Sequence, residues 1–449
     1  MDKKTVYIKT YGCSLNQTDT ENMAGLLSEA GFKVITEYSS INKIDNNIKE
    51  LENNIDVVII NTCSVKNLAE AKFLKEFKKW KNKNKKIVVS GCIPQAEPSI
   101  LNTLLKDVSV IGTRQITHVV DIVNDALKNK VIHNISNDYN ERLNLPKIRK
   151  NGIIEILPIS EGCLSNCSYC KTKFARGELL SYPKEKIILQ FKSALASGCK
   201  EFWITSQDNG CYGFDIYRKE KYFLPELLND LLKIEGDFRI RLGMANPDHV
   251  KRIKDELIKT FKHPKMFKFL HIPVQSGNNR ILKLMRRNYK VEDYEDIVFS
   301  FKKEIPQISI STDIIVGFPT ETEEEFNDSV RLIKKLTPDV LNLSRFWLRK
   351  GTSAEKMKQT QGGISKERSE KMKKIFDALS EKENKKWIGK ECVGLIDEIG
   401  KNNKLIARNE SYKQIILENK QYQSKYSLGD FVKVKITSSG IYDLKGEII

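Results

Sequence analysis

The sequence predicts a mixed α/β protein in three parts: a doubly wound parallel sheet, a partial barrel of six β/α units and a small C-terminal β-barrel. Apolar runs alternate with helix-like stretches up to about residue 360, which is typical of parallel sheets buried on both faces. From residue 387 onward, short strands separated by turns replace this alternation. We therefore expect domains at residues 1–130, 153–360 and 387–449, joined by a linker at 131–152 and a charged helical connector at 361–386.

The composition indicates a globular protein, and its charge admits two explanations. The 449 residues are 40% hydrophobic and 30% charged. No apolar run approaches the roughly 20 residues that span a bilayer, and the N-terminus lacks the apolar core of a signal peptide, so we expect a cytoplasmic protein with no membrane partner. The net charge of +18 favours a nucleic acid, but a lysine-rich composition inherited from an AT-rich genome explains it equally well.

In the first part, three cysteines each follow a predicted strand. Strands are predicted at residues 5–10, 32–35, 55–61, 87–90 and 108–111, with helices at 16–30, 67–83 and 117–128. Cys13, Cys63 and Cys92 therefore lie at the carboxyl ends of strands, which share one edge of a parallel sheet. A single cysteine is usually an ordinary buried thiol. Three in the same topological position predict a site where three thiolates hold one metal centre.

The second part carries a compact cysteine loop after its first strand. Cys163, Cys167 and Cys170 stand within eight residues, and three thiolates can wrap one soft metal centre. A cubane cluster held by three ligands keeps one iron open, as a reactive site requires. The alternative, half of a zinc knuckle, lacks a second Cys/His pair at a suitable spacing. The remaining cysteines lack such placement and are predicted to be structural or incidental: Cys199, Cys211 and Cys392.

Six strand-like runs recur in this part, fewer than the eight of a closed barrel, so we expect an open one. The runs are residues 153–159, 201–206, 239–245, 268–274, 308–316 and 341–348. Polar side chains near their carboxyl ends suit a ligand with hydroxyl, amine and carboxylate groups. These candidates are Ser206, Gln207, Arg241, Asn246, Gln275, Asp313 and Arg349. Each one alone is more often a cap or turn residue.

The cysteine loop, with Tyr169 before its last cysteine, resembles the cluster loop of radical S-adenosylmethionine (SAM) enzymes. The resemblance extends over essentially the whole chain to the radical SAM methylthiotransferase family. It is carried by Tyr-Gly-Cys-Ser-Leu-Asn-Gln (11–17), Asn-Thr-Cys-Ser-Val (61–65), Ser-Gly-Cys-Ile-Pro-Gln (90–95) and Asp-Ile-Ile-Val-Gly-Phe-Pro-Thr-Glu-Thr (313–322). Residues 170–183, 241–247 and 271–277 are similar to the archaeal and eukaryotic branch, which acts on threonylcarbamoyladenosine in tRNA. The chain departs from the family at Ser353, where a proline is usual.

The resemblance implies two 4Fe–4S clusters and SAM as cofactors. It implies that the cluster on Cys163, Cys167 and Cys170 donates an electron to SAM, and that a deoxyadenosyl radical then removes hydrogen from an adenine carbon. A second cluster, on Cys13, Cys63 and Cys92, carries or supplies the sulfur, and a second SAM donates the methyl group. Tyr169 and the polar strand-end residues are the SAM-binding candidates. The implied partners are tRNA, an electron donor of flavodoxin or ferredoxin type, and a sulfur donor that the sequence leaves unknown.

The C-terminal part resembles the TRAM domain, an RNA-binding β-barrel. Its predicted strands are residues 392–396, 404–408, 414–417, 431–436 and 442–448. The candidate phosphate contacts are Arg408, Lys413, Lys433 and Lys435, and Tyr412 is the candidate for stacking on a base. For any one lysine, a solvated barrel face is the simpler interpretation.

Two alternatives remain open at the level of sequence. The same chemistry serves other substrates in this family, namely isopentenyladenosine in tRNA or an aspartate of a ribosomal protein. A non-catalytic alternative is an iron–sulfur RNA-binding redox sensor, which binds tRNA without cleaving SAM.

Overall fold

The computed structural model describes residues 3–37, 52–64, 67–216 and 223–449, so Val65 of the quoted 61–65 motif lies outside the described residues. The chain divides into two compact units. The first comprises residues 1–152, 156–164 and 170–190, and the second comprises residues 153–155, 165–169 and 191–449. Within the described ranges, no helix combines the length and the apolar character needed to cross a membrane.

Strands and helices alternate through most of the chain. The strands are β1 Thr5–Thr10, β2 Lys33–Thr36, β3 Val57–Thr62, β4 Lys86–Gly91, β5 Ser109–Ile111, β6 His133–Asn134, β7 Ile154–Pro158, β8 Ser160–Glu161, β9 Leu180–Ser181, β10 Glu201–Thr205, β11 Arg239–Leu242, β12 Phe269–His271, β13 Ser309–Val316, β14 Val340–Arg345, β15 Glu391–Ile399, β16 Leu405–Asn409, β17 Gln414–Leu417, β18 Phe431–Ser439 and β19 Leu444–Ile448. The helices are α1 Ser14–Glu29, α2 Asn67–Asn82, α3 Cys92–Ala96, α4 Val119–Leu127, α5 Thr172–Arg176, α6 Lys184–Ala196, α7 Leu224–Leu232, α8 Pro247–Val250, α9 Lys254–Phe261, α10 Asn279–Leu284, α11 Val291–Glu304, α12 Glu323–Leu336 and α13 Gly362–Lys385.

The first unit contains the predicted doubly wound sheet. Its six parallel strands follow the order β2-β1-β3-β4-β5-β6. Alternate residues of β3 serve opposite faces: Val57 and Ile59 pack with α1 and α4, whereas Val58 and Ile60 pack with α2. Both faces of the sheet are therefore covered, which explains why the β3 sequence is continuously apolar.

The segment predicted as a linker, residues 131–152, contains one short strand of the first unit. The short strand β6 (His133–Asn134) lies in this segment and pairs with β5 in parallel. Two short antiparallel strands, β8 and β9, complete the described sheets of this unit.

The second unit contains five of the six strands of the predicted open barrel and the first two residues of β7. One sheet has the order β11-β10-β7 and the other the order β12-β13-β14. A parallel bridge between Ile240 and Met266 links β11 to the segment before β12. The strand predicted at 268–274 is shorter than expected because it ends at His271, two residues before Pro273, which has no N–H for a ladder.

The last 60 residues form a closed five-stranded barrel in the order β15-β16-β17-β19-β18. Inward-facing Ile396, Ala407, Ile415, Val434 and Leu444 are fully buried in its core. The alternation of buried and exposed residues along β18 is what a barrel wall requires. The mixed α/β class and the three predicted architectures are therefore confirmed.

Candidate functional site

The cysteines of the first unit lie at the carboxyl ends of three neighbouring strands. Strand register places Thr10 beside Asn61, and Asn61 beside Ser90. Cys13, Cys63 and Cys92 follow these positions by two or three residues. Cys63 and Cys92 are buried and Cys13 is exposed, and the three are close enough that negative charge on Cys63 or Cys13 raises the pKa of Cys92. The structure thus brings the three thiols together at one sheet edge.

An asparagine that the sequence reasoning did not single out connects these cysteine loops. The Asn16 Oδ1 atom lies 3.4 Å from Cys13 Sγ and 3.9 Å from Cys92 Sγ. Its Nδ2 donates to the Thr62 carbonyl at 2.8 Å, next to Cys63. The advance signals for Asn16 were its place three residues after Cys13 and its inclusion in the quoted motif at residues 11–17.

The Cys92 sulfur faces a buried guanidinium. The positive charge of Arg176 favours the Cys92 thiolate, and Arg176 Nη2 donates to Asp19 Oδ2 at 2.7 Å. Burial raises the pKa of the Cys92 thiol, while Arg176 acts in the opposite direction by stabilising the thiolate. Arg142 bridges Asp19 and Glu161. The Arg176 guanidinium is therefore part of a buried ion-pair network through its bond to Asp19.

The loop that carries Cys163 requires a glycine before it. Gly162 has φ +73°, and a Cβ atom there would lie 1.9 Å from the Glu178 carbonyl oxygen. The Cys163 N–H donates to Gly177 at 3.2 Å. The backbone of Gly162 therefore approaches the neighbouring strand as no other residue could.

The other two cysteines of this loop each have a hydrogen-bond donor beside the sulfur. Cys170 Sγ accepts from the Thr172 backbone N–H at 3.4 Å. Cys167 Sγ accepts from Arg287 Nη1 at 3.4 Å. All three loop cysteines are partly exposed and free of disulfides. The N–H donors on the sulfurs of Cys167 and Cys170 fit an iron–sulfur cluster, whose ligands accept such bonds.

The second unit fixes the part of the loop that follows Cys167. Ser168 donates its N–H to Met285 at 3.1 Å and its hydroxyl to the Leu284 carbonyl at 2.7 Å. Tyr169 packs edge-on against Phe318, with ring centroids 6.3 Å apart. The predicted cofactor contact Tyr169 thus has a packing role as well.

Several predicted strand-end residues have the properties expected of a ligand site. Ser206 Oγ and Gln207 Oε1 are buried without a hydrogen-bond partner among the described residues. Asn246 Nδ2 donates to Ser165 Oγ, a residue of the cysteine loop, at 3.0 Å. The orphaned oxygens of Ser206 and Gln207 fit the amine or hydroxyl donors of a bound molecule.

Three other candidates are held by neighbours. Asp313 Oδ1 lies 2.9 Å from His271 Nε2 and accepts from Asn342 Nδ2 at 2.8 Å. Gln275 has φ +72° and bonds through its backbone to both Asp313 and Ile315. The Arg349 carbonyl accepts from the Thr352 hydroxyl at 2.7 Å. This bond closes the turn in which Ser353 replaces the family's proline.

Arg241 is placed differently from the expectation. Its guanidinium lies 5.1–5.3 Å from the ring centroids of Trp203, Phe269 and Tyr412. The Tyr412 hydroxyl in turn donates to Glu201, the first residue of β10, at 3.0 Å. The aromatic rings of Trp203, Phe269 and Tyr412 therefore surround the Arg241 guanidinium.

The structure also changes the expected RNA surface. Arg408 pairs with Asp397 at 3.1 Å and lies 4.8 Å from the Tyr412 ring. Lys413 pairs with Asp339 at 2.8 Å. Tyr412 adopts φ +61° in the turn after β16, which directs its ring into the second unit. The expectation that these three side chains face RNA does not agree with these intramolecular contacts.

Lys433 and Lys435 are exposed on β18, as expected. Each has an acidic neighbour on the next strand: Lys433 pairs with Glu391 at 2.7 Å, and Lys435 lies opposite Glu391 and Glu447 in the register. They stay candidate phosphate contacts.

A buried trio could be mistaken for a further metal site. Asp208, Cys211 and His249 offer ligand atoms within 4.8 Å of one another. Asp208 already accepts from Gly210 and Asn246 backbone N–H groups at 3.0 Å and pairs with His249 Nδ1 at 2.7 Å. The Cys211 thiol donates to the Asp208 carbonyl at 3.2 Å. The trio thus supports the loop after β10, and the expectation that Cys211 is structural fits these contacts.

Three family models match the chain in succession. The model of uncharacterized protein family UPF0004 matches residues 5–112, that of the radical SAM superfamily matches 157–333, and that of the TRAM domain matches 386–449. In a search of solved structures, a radical S-adenosylmethionine methyltransferase from Kitasatospora setae, with cobalamin and a 4Fe-4S cluster bound, has a TM-score of 0.56. It is 14% identical, over 79% of this chain and 77% of that one, so the likeness concerns the fold alone.

Curated relatives match at greater identity. A probable threonylcarbamoyladenosine tRNA methylthiotransferase of Pyrococcus horikoshii is 39% identical over 448 residues, which cover 99% of each chain. The human threonylcarbamoyladenosine tRNA methylthiotransferase is 38% identical over 98% of this chain and 73% of its own. The chain therefore belongs to the threonylcarbamoyladenosine tRNA methylthiotransferase family.

Proposed function

We propose that this protein is a radical SAM methylthiotransferase that converts N6-threonylcarbamoyladenosine, next to the anticodon of tRNA, to its 2-methylthio derivative. The observation that carries the proposal is the presence of two sets of three cysteines, each with its own hydrogen-bonding groups. The printed names of the relatives support the substrate. The convergence of Cys13, Cys63 and Cys92 supports chemistry beyond SAM cleavage, since cleavage needs a single cluster.

Cys163, Cys167 and Cys170 would hold the cluster that supplies the electron for SAM cleavage when it is bound. The protein's part is to leave one side of this cluster open and to orient SAM beside it. Ser206 and Gln207 offer buried oxygens without partners for that purpose.

Cys13, Cys63 and Cys92 would hold the second 4Fe–4S cluster, which carries the sulfur. Asn16 fixes the distance between the loops of Cys13 and Cys92 through its side chain. Arg176 places a positive charge against Cys92, which favours three thiolates at one point. Burial of Cys63 and Cys92 limits access of water to that cluster.

The proposal includes partners. The substrate is tRNA, the reductant is a flavodoxin- or ferredoxin-like protein, the sulfur donor is open, and the site of action is the cytoplasm. The C-terminal barrel supplies RNA contacts through Lys433 and Lys435, whose side chains are exposed.

Salt dependence tests these two lysines. The logarithm of the tRNA binding constant falls linearly with the logarithm of the salt concentration, by about 0.7 to 0.9 for each phosphate contact. Replacing both lysines by alanine is therefore expected to make this slope shallower by about 1.4 to 1.8. Lys382→Ala, an exposed site on α13, is the control for loss of a positive charge elsewhere. An unchanged slope in the double variant removes these lysines from the interface.

The function itself is tested by the mass of the product. Reconstituted protein, SAM and a reductant are incubated without oxygen with tRNA bearing threonylcarbamoyladenosine, and the digested nucleosides are weighed. A gain of one sulfur and one methylene group on that nucleoside is expected. Deoxyadenosine without that gain would redirect the assignment to isopentenyladenosine or a ribosomal-protein aspartate. Absence of both products would support an RNA-binding redox sensor.

A further inference from the structure

We propose that Arg287 is a positioning residue for the radical-generating cluster, which it serves by holding Cys167 and by raising the cluster's reduction potential. The inference rests on the proposed assignment of that cluster to Cys163, Cys167 and Cys170. Arg287 lies 120 residues after Cys167 in the chain, yet its Nη1 donates to the Cys167 sulfur at 3.4 Å.

The guanidinium of Arg287 is fixed on its other edges. Its Nη2 donates to the Pro273 carbonyl at 3.2 Å, and its Nε donates to the Tyr289 hydroxyl at 2.9 Å. The Tyr289 hydroxyl donates in turn to the Val274 carbonyl at 2.8 Å. With both other edges engaged, the donor that faces Cys167 has little freedom to turn away.

The backbone that carries Arg287 is shaped for this contact. Helix α10 ends in a left-handed residue, Arg286, with φ +56°, a conformation that costs a non-glycine residue about 1 kcal/mol or more. The Arg287 N–H then bonds back to the Leu282 carbonyl at 2.9 Å, as in a Schellman turn. This turn directs the Arg287 side chain back toward the cysteine loop.

The same helix end holds the loop next to Cys167. Ser168 bonds to the Leu284 and Met285 carbonyls at the end of α10, only two or three residues before Arg287. One rigid element therefore fixes both the loop backbone and the donor to its sulfur.

Among the described residues, no Asp or Glu oxygen lies within salt-bridge distance of Arg287, although its charge lowers the pKa of the more distant Asp208. Arg176 in the first unit, by contrast, forms an ion pair with Asp19. A reduced cluster carries one more negative charge than an oxidised one. An unpaired guanidinium bonded to a ligand sulfur therefore stabilises the reduced form, since hydrogen bonds to sulfur and local charge set these potentials.

The test is an EPR-monitored redox titration of full-length reconstituted protein in which Cys13, Cys63 and Cys92 are alanine, so that one cluster is observed. This background is expected to keep about four irons per chain. Loss of all iron in the background would contradict the assignment of the cluster to the loop, and the inference with it, before any arginine variant is compared.

In this background, Arg287→Gln is expected to shift the reduction equilibrium at least tenfold toward the oxidised form, or about 59 mV for one electron. Arg287→Lys is expected to give a smaller shift, because it keeps the charge but not the forked geometry. Lys283→Gln removes one positive charge from an exposed position on α10 and is expected to leave the equilibrium unchanged.

Equal equilibria in Arg287→Gln and Lys283→Gln, with iron retained in both, would overturn the proposal. If Arg287→Gln fails to hold iron, Arg287→Lys decides: an equilibrium displaced from that of Lys283→Gln supports the proposal, and an identical one overturns it.

Discussion

The two cysteine sites use the same donor set in opposite electrostatic surroundings. In the first unit, Arg176 lies beside Cys92 and forms an ion pair with the buried carboxylate of Asp19. In the second, Arg287 donates to Cys167, and its other hydrogen-bond partners, Tyr289 and Pro273, are neutral. The difference indicates two tasks for clusters with equivalent ligands. A guanidinium held in an ion pair suits a cluster that holds its sulfur, and one without an ion pair suits a cluster that must accept an electron.

Burial differs in the same sense. Two of the three cysteines of the first site, Cys63 and Cys92, are 3% and 5% exposed, and Cys13 is exposed. In the second site, Cys163, Cys167 and Cys170 are all partly exposed and none is buried. A site that binds and releases SAM must open to solvent, and a site that stores reactive sulfur benefits from the exclusion of water. Exposure and charge therefore both favour SAM cleavage at the site of Cys163, Cys167 and Cys170 and sulfur storage at the site of Cys13, Cys63 and Cys92.

The largest expected effect follows from removing either set of ligands. Reconstituted protein is expected to hold about eight irons, as two cubanes. Replacement of Cys63 by alanine, or of Cys167 by alanine, is expected to remove about half of this iron, measured against protein concentration. Loss of all iron from either single variant would show that the two sites depend on each other.

The next test breaks the buried ion-pair network of Arg176, Arg142, Asp19 and Glu161. Arg176→Met leaves the buried Asp19 carboxylate with one guanidinium fewer, and loss of one partner of a buried pair typically costs about 3–5 kcal/mol. Denaturant unfolding is expected to show this loss of stability. Iron is expected to be lost from the cluster on Cys13, Cys63 and Cys92 only. Lys173→Met is the control, because Lys173 stands on the same helix and pairs with the exposed Glu178. Equal stability of the two variants would contradict the structural importance of the network.

Asn16→Ala is expected to have a smaller effect. It leaves the buried Thr62 carbonyl without the Asn16 donor, and an unsatisfied buried group costs about 1–3 kcal/mol. Urea unfolding measures the loss of stability, and the iron content of the cluster on Cys13, Cys63 and Cys92 is expected to fall. Gln17→Ala, whose side chain bonds to Glu21 at 3.2 Å, is the neighbouring control and is expected to keep its iron.

Ser168→Ala is expected to have the smallest effect. It removes one hydrogen bond, to Leu284, while the Ser168 backbone bond to Met285 remains. The expected destabilisation is about 0.5–1.5 kcal/mol, with faster release of iron from the loop under a mild chelator. A loss as large as that of Arg176→Met would mean that the loop is held mainly by this hydroxyl and not by Arg287.

The sequence was sufficient to predict the convergence of Cys13, Cys63 and Cys92, because parallel strands bring their carboxyl ends to one edge whatever their separation in the chain. It was also sufficient for the loop of Cys163 to Cys170, whose ligands are local. Each of these predictions depends on topology or on short spacing.

Side-chain partners across long separations could not be predicted in this way. Nothing in the sequence near Arg287 indicates that a left-handed Arg286 turns it toward Cys167. Tyr412 and Arg408 were expected to face RNA because tyrosine and arginine are common in RNA-binding surfaces. Their contacts with Glu201 and Asp397 depend on how the C-terminal barrel packs within the second unit, which strand patterns do not encode.

The division of labour is tested most directly by measuring two products in one reaction. The Cys13→Ala/Cys63→Ala/Cys92→Ala protein is incubated without oxygen with SAM, a reductant and tRNA bearing threonylcarbamoyladenosine, and deoxyadenosine and the methylthio nucleoside are quantified together. We predict that deoxyadenosine is released and that no methylthio nucleoside forms. Loss of both products, or formation of both, would contradict separate roles for the two cysteine sites.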